Sequence, residues 1–361
     1  MPGGQRLKKA LIMALKVGLA VGLLAWLLAH GKLNPREIGS AIRAYPLWML
    51  LALLCNNATI LLTAFRWRIL LLAQGIQARR RDCVVMTYIG VFFSTFLPGG
   101  TGGDFVKAYY IARDSHKKAE AVTTVFLDRV FGLYCLVGFA AVAILVRLGA
   151  LWRTTSKPAL HGLTEAQLLV VGVLSIFLLS TLGLALLLST HWRRLTHFLL
   201  DRLPGVGPVL KRVYEAVYLY RTQKGILLKF IAYSASAHAI ATASLWLVGI
   251  ALGDPVARGG VRALNYLFLI PLGFVVNGLP ITPGGFGAFE WALGMLFATV
   301  LLPGEQGQNV GVNLAATGHI LFVLTNLIGL LFYLKGKRRV AEAAEGASHD
   351  ALPEPPHDAP A

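Results

Sequence analysis

The sequence predicts an all-α polytopic membrane protein with about six full transmembrane helices and two re-entrant or broken-helix hairpins in an inverted repeat. Three observations predict this class. The 361 residues are 56% hydrophobic and 14% charged, whereas soluble domains average about 45–50% apolar and about 25% charged residues. Short basic loops separate long apolar runs, and two runs carry a Pro-Gly-Gly motif. One soluble core cannot bury so much apolar surface, so the bilayer is the expected solvent.

The apolar runs follow one another along most of the chain. They cover residues 10–29, 47–65, 84–98, 119–146, 166–188, 226–252, 264–282, 284–302 and 310–334. Most are close to the roughly 20 residues that a helix needs to cross the hydrocarbon core. The first run follows basic residues, and no clear small-x-small cleavage site follows it, so we interpret it as an uncleaved span rather than a signal peptide.

Three regions are predicted along the chain. Residues 1–9 form a cytoplasmic N-terminus, residues 10–335 form the transmembrane domain, and residues 340–361 form a cytoplasmic tail. The tail is acidic, rich in Ala and Pro and poor in large apolar residues, so we expect it to be disordered.

The distribution of basic residues predicts the topology. The net charge of +17 does not indicate nucleic-acid binding, because the Lys and Arg residues cluster in short loops beside the apolar runs. With the N-terminus in the cytoplasm and each Pro-Gly-Gly region treated as a hairpin, most of the 34 Lys and Arg residues lie on the cytoplasmic side. We therefore predict a bacterial inner (plasma) membrane protein with both termini cytoplasmic. Full crossings at each motif would leave the loops on the same sides, so the charges do not distinguish the two arrangements.

Several enzyme and cofactor classes are excluded by missing motifs. The three cysteines lack metal-ligand spacing, and there is no P-loop, no H-E-x-x-H and no G-x-S-x-G. An intramembrane aspartyl protease needs Gly-x-Gly-Asp, but Thr101 stands where the first glycine is required before Asp104. We expect no metal and no cofactor.

Two similar segments are the strongest functional signal. Each has the core Pro-Gly-Gly-x-Gly and a carboxylate six or seven residues after the proline. The candidate residues in these segments are Pro98, Gly99, Gly100, Gly103 and Asp104, and Pro280, Pro283, Gly284, Gly285, Gly287 and Glu290. Proline and adjacent glycines interrupt a helix, and interrupted backbone at membrane depth is tolerated only inside protein or beside a wet cavity. A single motif of this kind is also explained by a simple kink or loop.

The predicted topology places three crossings between the two motifs. With an odd number of crossings, the second motif enters the membrane from the face opposite to the first. This is the arrangement of inverted-repeat transporters, whose substrate site lies between two discontinuous helices. The helix ends at such breaks favour anions.

Ionisable residues inside apolar runs are the second signal. Asp128 and Arg129 lie about nine residues, or roughly 14 Å, into the run 119–146. A charge near the bilayer centre costs about 2.5–3.5 kcal/mol on insertion scales, so each residue is expected to have a partner. We predict Asp104 or Glu290 as the partner of Arg129 and Lys107 as the partner of Asp128. The alternative is a structural ion pair that joins two helices.

Three further assignments concern single residues. Asp104 and Lys107 are three apart and are expected to pair on the helix that resumes after the first break. Arg66 is either a snorkelling interface anchor or a landing site for a lipid phosphate. His238 and His319 are interpreted as core residues with satisfied hydrogen bonds.

The strings FLPGGTGGDFVKAYYIAR, TVFLDRVFGLY and LPITPGGFGAFE resemble the transmembrane region of the lysylphosphatidylglycerol synthase family, also called the flippase-like domain family. The resemblance covers about residues 10–335, and Arg66 followed by Trp67 also fits it. The family pattern implies an Arg where Lys107 stands and a Glu where Asp128 stands. Lysine grips a phosphate less well than arginine because it cannot form a bidentate contact.

The resemblance implies a function in lipid translocation without enzymatic activity. In full-length members this region precedes a cytosolic aminoacyl-transferase domain, and no such domain fits in the short tail. We therefore expect a flippase-like transporter that moves a lipid with a polar or phosphate headgroup by alternating access. The alternative is a non-transporting membrane partner or scaffold for a separately encoded envelope lipid or glycolipid enzyme.

Overall fold

The computed structural model is helical throughout the part of the chain that it describes. It describes residues 22, 25, 28–29, 34–96, 102–113, 115–152, 164–202, 207–259, 261–279, 281–302 and 304–349. These ranges contain helices and turns and no β-strand.

The helices are numbered here in chain order. The first six are α1 (Pro35–Ala44), α2 (Pro46–Ala73), α3 (Arg80–Phe96), α4 (Gly102–Arg113), α5 (Lys118–Trp152) and α6 (Glu165–Leu188). The next seven are α7 (Thr190–Asp201), α8 (Gly207–Leu219), α9 (Lys224–Ala251), α10 (Pro255–Arg258), α11 (Val261–Gly278), α12 (Ala288–Val300) and α13 (Glu305–His349). A single 3₁₀ turn, Pro283–Gly285, lies between α11 and α12.

Within the described residues, four helices are long and apolar enough to cross a membrane. Their apolar parts are Pro46–Ala73, Lys118–Val146, Lys224–Ala251 and Glu305–Gly336. Shorter apolar helices cover Val170–Leu186, Tyr266–Gly278 and Ala288–Val300. The prediction of an all-helical protein with several apolar helices is confirmed, and each apolar run predicted after residue 46 coincides with a helix. The first predicted run, 10–29, lies almost entirely outside the described residues.

The helices α2 and α9 form an antiparallel pair along most of their length. Near one end Ser244 Oγ donates a hydrogen bond to the Ala52 carbonyl at 2.9 Å. Near the other end Tyr220, just before α9, donates from its hydroxyl to the Leu70 carbonyl at 3.3 Å. Hydrogen bonds from hydroxyl groups to the backbone of a neighbouring helix are a usual way to join apolar helices. The pair of α2 and α9 is the central helix pair of the bundle.

Two hairpins of shorter helices enter the bundle from opposite ends. The first is α3 with α4, and α3 begins shortly after the end of α2. The second is α11 with α12, and α11 begins shortly after the end of α9. Because α2 and α9 are antiparallel, α3 and α11 begin at opposite ends of the bundle. The second arms, α4 and α12, have 12 and 13 residues, or about 18–20 Å at about 1.5 Å per residue, which is less than the roughly 30 Å of the hydrocarbon core.

The second hairpin turns through glycines with positive φ. Gly284, Gly285 and Gly287 have φ values of 60°, 79° and 80°. Residues with a Cβ avoid this left-handed region because of steric crowding, so only glycine gives this turn without strain. The tip of the first hairpin, with Pro98, Gly99 and Gly100, lies outside the described residues, as does Pro280.

The two arms of the first hairpin pack glycine against glycine. A Cβ built on Gly103 in α4 would lie 1.7 Å from the carbonyl oxygen of Gly90 in α3. A Cβ on Gly90 would lie 3.3 Å from the Gly103 carbonyl. Small residues allow helix backbones in membranes to approach this closely, so the two arms are joined without room for any side chain.

The remaining helices surround this centre. A core of buried apolar residues joins α9, α11, α12 and α13, where the rings of Tyr266 and Phe297 lie 4.9 Å apart, edge to face. The helices α7 and α8, which lie between α6 and α9 in the sequence, carry exposed ion pairs such as Arg193–Glu215 at 3.1 Å. The helix α13 is described as far as His349, beyond the transmembrane end predicted at residue 335. The tail is predicted to be disordered from residue 340; residues 340–349 belong to α13, and disorder stays a prediction for residues 350–361, which lie outside the described part.

Candidate functional site

A polar cavity of about 330 Å³ lies between the two hairpins and the middle of α5. Both hairpins contribute to its wall, as do α2, α9 and α13. The lining residues are Thr63, Arg66, Thr87, Gly90, Val91, Ser94, Thr95, Asp104, Lys107, Asp128, Arg129, Gly132, Leu133, Leu136, His238, Asn277, Gly278, Gly284 and Phe322. The volume falls at the lower end of the roughly 300–1,000 Å³ of small-molecule sites.

Arg66 and Asp128 form a buried bidentate ion pair at one wall of the cavity. The Arg66 Nε lies 2.9 Å from Asp128 Oδ1, and its Nη2 lies 3.2 Å from Oδ2. Nη1 donates to Ser234 Oγ at 3.2 Å, and the guanidinium carbon lies 5.0 Å from the centre of the Phe230 ring. Arg66 thereby joins α2, α5 and α9, and only 7% of it is exposed.

Lys107 is held mainly by an aromatic ring. Its Nζ lies 3.8 Å from the centre of the Trp67 ring and 3.9 Å from Asp128 Oδ2. The second distance is too long for a hydrogen bond, whereas the first is well within cation–π range. The Trp67 ring is fixed in turn, because its Nε1 donates to Thr124 Oγ1 at 3.1 Å. Lys107 therefore lies in the wall of the cavity with a long ion-pair contact to Asp128, a carboxylate that it shares with Arg66.

Asp104 and Arg129 form the third charged contact. Arg129 Nη1 lies 3.1 Å from Asp104 Oδ2, which joins the start of α4 to the middle of α5. The Arg129 side chain is 33% exposed and the Asp104 side chain is 19% exposed. This ion pair is therefore more accessible than the ion pair of Arg66 with Asp128. Together two arginines, one lysine and two carboxylate side chains line the cavity, and their formal excess of one positive charge favours an anion.

Three buried polar atoms at the cavity have no hydrogen-bond partner among the described residues. They are Thr87 Oγ1, His238 Nε2 and Asn277 Oδ1. Buried polar atoms in native proteins nearly always have a partner, either protein or water. These atoms come from α3, α9 and α11, so an occupant with several polar atoms would find partners on three sides.

The turn of the second hairpin touches the first hairpin beside the cavity. A Cβ on Gly284 would lie 3.2 Å from the Thr95 carbonyl in α3. The Thr95 hydroxyl also accepts a hydrogen bond from Asn326 Nδ2 of α13 at 2.7 Å. The two hairpins, which enter from opposite ends, thus meet near the centre of the bundle.

We expect Gly285→Ala to lower stability more than an alanine at another left-handed glycine. A Cβ on Gly285 would lie 1.7 Å from Asn277 Oδ1, in addition to the about 1–2 kcal/mol that a left-handed conformation costs a residue with a Cβ. Gly253→Ala is the matched control, since Gly253 has φ +75 and nothing within 4 Å of its Cβ position. Thermal unfolding in detergent measures both. Equal shifts in the melting temperature of the two variants would show that the Asn277 side chain moves aside without cost, and would contradict the prediction.

A second buried acid–base pair lies on the second hairpin, outside the residues that line the cavity. Glu290 Oε1 lies 2.6 Å from His319 Nδ1, and Glu290 Oε2 accepts the backbone N–H of Gly287 at 2.7 Å. The rings of Phe286 and Phe289 flank the imidazole, with centroids 4.6 and 5.2 Å away. The pair therefore links the glycine turn and the start of α12 to α13.

The structure brings together most of the charged residues that the sequence singles out. Asp104 is the partner of Arg129, one of the two alternatives predicted. The closest partner of Asp128 is Arg66, whereas Lys107, the predicted partner, lies farther away. The expected contact between Asp104 and Lys107 is not an ion pair in the described structure. Arg66 is buried in the bundle, so the interpretation as a snorkelling anchor is wrong.

Sequence reasoning missed several residues at the centre of the molecule. His319 is not a lone core residue but the partner of Glu290. Thr87, His238 and Asn277 line the cavity with unpartnered atoms. A usable signal existed for the two histidines, because ionisable residues within membrane helices usually mark functional positions. Thr and Asn in apolar runs are too common to give such a signal.

The long apolar helices and the charged cavity at their centre define a multi-pass helical membrane protein. Residues 13–329 match the family described as the lysylphosphatidylglycerol synthase TM region. The chain belongs to this family, and the resemblance noted in the sequence is confirmed. The match is to the transmembrane region, and no synthase domain is found within residues 1–361.

Two relatives are archaeal membrane proteins. The UPF0104 membrane protein PH1989 of Pyrococcus horikoshii is 22% identical, over 94% of this chain and 100% of the relative. A UPF0104 membrane protein of Methanothermobacter thermautotrophicus is 24% identical, over 82% of this chain and 86% of the relative. No solved structure matches the chain significantly. The bacterial origin and the orientation of the termini stay predictions.

Proposed function

We propose that the protein is a lipid flippase-like transporter that moves a lipid with a polar or phosphate headgroup across the membrane by alternating access. The observation that carries this proposal is the cavity between the two hairpins, with Arg66, Lys107 and Arg129 at its wall. Three cations deep inside a helical membrane protein are costly unless they serve a purpose or are fully paired. Here the three cations share two carboxylates, because Lys107 and Arg66 both pair with Asp128 and Arg129 pairs with Asp104.

The topology that we propose has six full crossings and two re-entrant hairpins in an inverted repeat. The arms α4 and α12 are too short to cross the hydrocarbon core. The hairpins begin at opposite ends of the bundle and meet where Gly284 approaches the Thr95 carbonyl. This is the geometry in which one hairpin can open toward one face while the other stays closed.

The headgroup is expected to bind by its phosphate. Arg129 and Lys107 supply the positive charge, and the first turn of α4, which carries Asp104, belongs to the same cavity wall; the N-terminus of a helix favours anions. The unpartnered atoms of Thr87, His238 and Asn277 bind the polar groups next to the phosphate. The cavity is too small for acyl chains, so these stay in the bilayer while the headgroup crosses.

We expect Lys107→Met to slow lipid translocation by about tenfold to 100-fold, because a hydrogen bond to a charged group contributes about 1.5–3 kcal/mol. The protein is reconstituted in vesicles that carry fluorescently labelled phosphatidylglycerol or phosphatidylethanolamine. Quenching from outside then follows the movement of the labelled headgroup between leaflets. The substitution leaves the Arg66–Asp128 pair in place, so the fold is expected to persist.

Two variants control this experiment. Lys107→Arg keeps the charge and is expected to keep the rate at or above that of the parent. Lys211→Ala removes a cation from an exposed ion pair with Asp201 on α7 and is expected to change nothing. If Lys107→Met moves both lipids as fast as the parent, the cavity is not the route. If the parent moves neither lipid, transport of phosphate-headgroup lipids is refuted and the non-transporting partner becomes the better hypothesis.

A further inference from the structure

The two hairpins carry an acid–base pair at the same structural position. Asp104 is the third residue of α4, and Glu290 is the third residue of α12. Each carboxylate pairs with a basic residue inside the long helix that follows, Arg129 in α5 and His319 in α13. The second hairpin therefore repeats the arrangement of the first, with one chemical difference.

The difference is that the second pair, Glu290 with His319, can exchange a proton and is buried. Arginine stays charged in proteins, so the Asp104–Arg129 pair has a fixed protonation state, and it opens onto the cavity. Histidine and glutamate both titrate. Their side chains are only 5% and 2% exposed for His319 and Glu290, and His319 Nε2 has no hydrogen-bond partner among the described residues.

From this geometry we infer that Glu290 and His319 form a proton-binding site that couples lipid movement to proton movement across the membrane. The inference rests on the proposed transport function. In the loaded state the pair holds one transferable proton, shared along the 2.6 Å contact, and is neutral overall. Release of this proton leaves the Glu290 carboxylate beside a neutral imidazole, with a net charge of −1. Only an O–H or N–H bond forms or breaks, and the proton comes from water on one side and leaves to water on the other.

The charge of the pair acts directly on the turn of the second hairpin. Glu290 Oε2 accepts the N–H of Gly287, and an ionised carboxylate accepts this bond more strongly than a protonated one. Gly287 follows Gly284 and Gly285 in the same turn, and all three glycines have positive φ values. Gly284 in turn lines the cavity, so protonation of Glu290 loosens the wall against which the headgroup rests.

Other titratable or charged groups on the elements packed against the pair form no ion pair or hydrogen bond with it. Among the described side chains of these elements they are Cys55, Arg66 and Arg68 on α2, Arg80, Arg81, Asp82, Cys83 and Tyr88 on α3, Lys224, Lys229, Tyr233 and His238 on α9, Tyr266 on α11, and Glu305, Tyr333 and Lys335 on α13 itself. The side chain that contacts Glu290 is His319, and the rings of Phe286 and Phe289 flank the His319 imidazole. Among the described side chains, Glu290 and His319 therefore have no charged partner other than each other.

The test uses the vesicles described above with a pH difference of one unit and a clamped membrane potential. If one proton moves per lipid, the ratio of labelled phosphatidylglycerol between leaflets shifts by up to about tenfold, and a protonophore abolishes the shift. Glu290→Gln is expected to remove the effect of the gradient. Lys107→Met slows translocation but keeps the relative effect of the gradient, because it leaves the pair intact.

A spectroscopic measurement tests the proton site without any lipid. Infrared difference spectra of the purified protein between acidic and alkaline buffer are expected to show a protonated-carboxyl band that His319→Gln shifts and Glu290→Gln removes. If the parent moves lipid regardless of the gradient, the inference is wrong and the transport proposal stands. If the band is unchanged in Glu290→Gln, the inference is wrong whatever the lipid assay shows. If the parent moves neither lipid but the band is lost in Glu290→Gln, the transport proposal fails and coupling fails with it.

Discussion

Asp128→Asn is expected to destabilise the protein by about 3–5 kcal/mol, the usual consequence of removing one partner of a buried ion pair. Asp128 is the bidentate partner of Arg66 and the nearest carboxylate to Lys107. Asparagine leaves both cations buried without a counter-charge. Arg66 also donates a hydrogen bond to Ser234 of α9. Removal of the Asp128 carboxylate therefore weakens the packing of three helices, α2, α5 and α9.

The measurement is thermal or denaturant unfolding of the detergent-solubilised protein. Glu215→Gln is the matched control, since it breaks the exposed contact with Arg193, and exposed pairs contribute little to stability. The double variant Asp128→Asn/Arg66→Met removes charges of both signs and is expected to recover much of the loss. A single variant as stable as the parent would show that Arg66 finds another partner.

Gly103→Val is expected to separate the arms of the first hairpin and to abolish function. Overpacking a tight core costs about 1–3 kcal/mol or more even for small additions. The clash here is with the backbone of Gly90, whose oxygen would lie 1.7 Å from the new Cβ. A flexible side chain could move away, whereas a helix backbone moves only as a whole. Asp104, one residue further on, would lose its contact with Arg129.

The control for Gly103→Val is Gly183→Val in α6, where nothing lies within 4 Å of the Cβ position. Gly183→Val is expected to leave stability close to that of the parent, since it only replaces one poor helix former with a better one. Cysteines placed on α3 and α4 report the spacing of the arms by spin-label distances. Unchanged distances in Gly103→Val would mean that the close glycine contact does not exist in the membrane.

The sequence predicted the helices and the glycine turn at Pro283 well because each depends on local signals. Apolar runs of sufficient length specify membrane helices, and Pro283 with its glycines specifies the turn that the structure shows. The contact of Asp104 with Arg129 could also be predicted from the sequence, because α4 and α5 are joined by a short loop. Short loops leave few ways to place consecutive helices.

The long-range pairs were beyond the sequence because they depend on how distant helices are rotated about their axes. Arg66 and Asp128 are 62 residues apart, and Glu290 and His319 are 29 apart. A rotation of either helix by one residue turns the side chain by about 100°, which decides whether it meets a partner or lipid. Asn277 and Thr87 likewise line the cavity only because of packing, and their types alone give no hint.

The contact of Gly90 with Gly103 bears on how the chain is inserted into the bilayer during synthesis. A segment of about 12 residues is too short to be retained alone as a spanning helix, and α4 has this length. Its backbone lies directly against that of α3, so the two arms complete each other's surface. It follows that α4 is retained in the membrane only after α3 has been inserted. The unit of insertion is then the helical hairpin rather than the single helix.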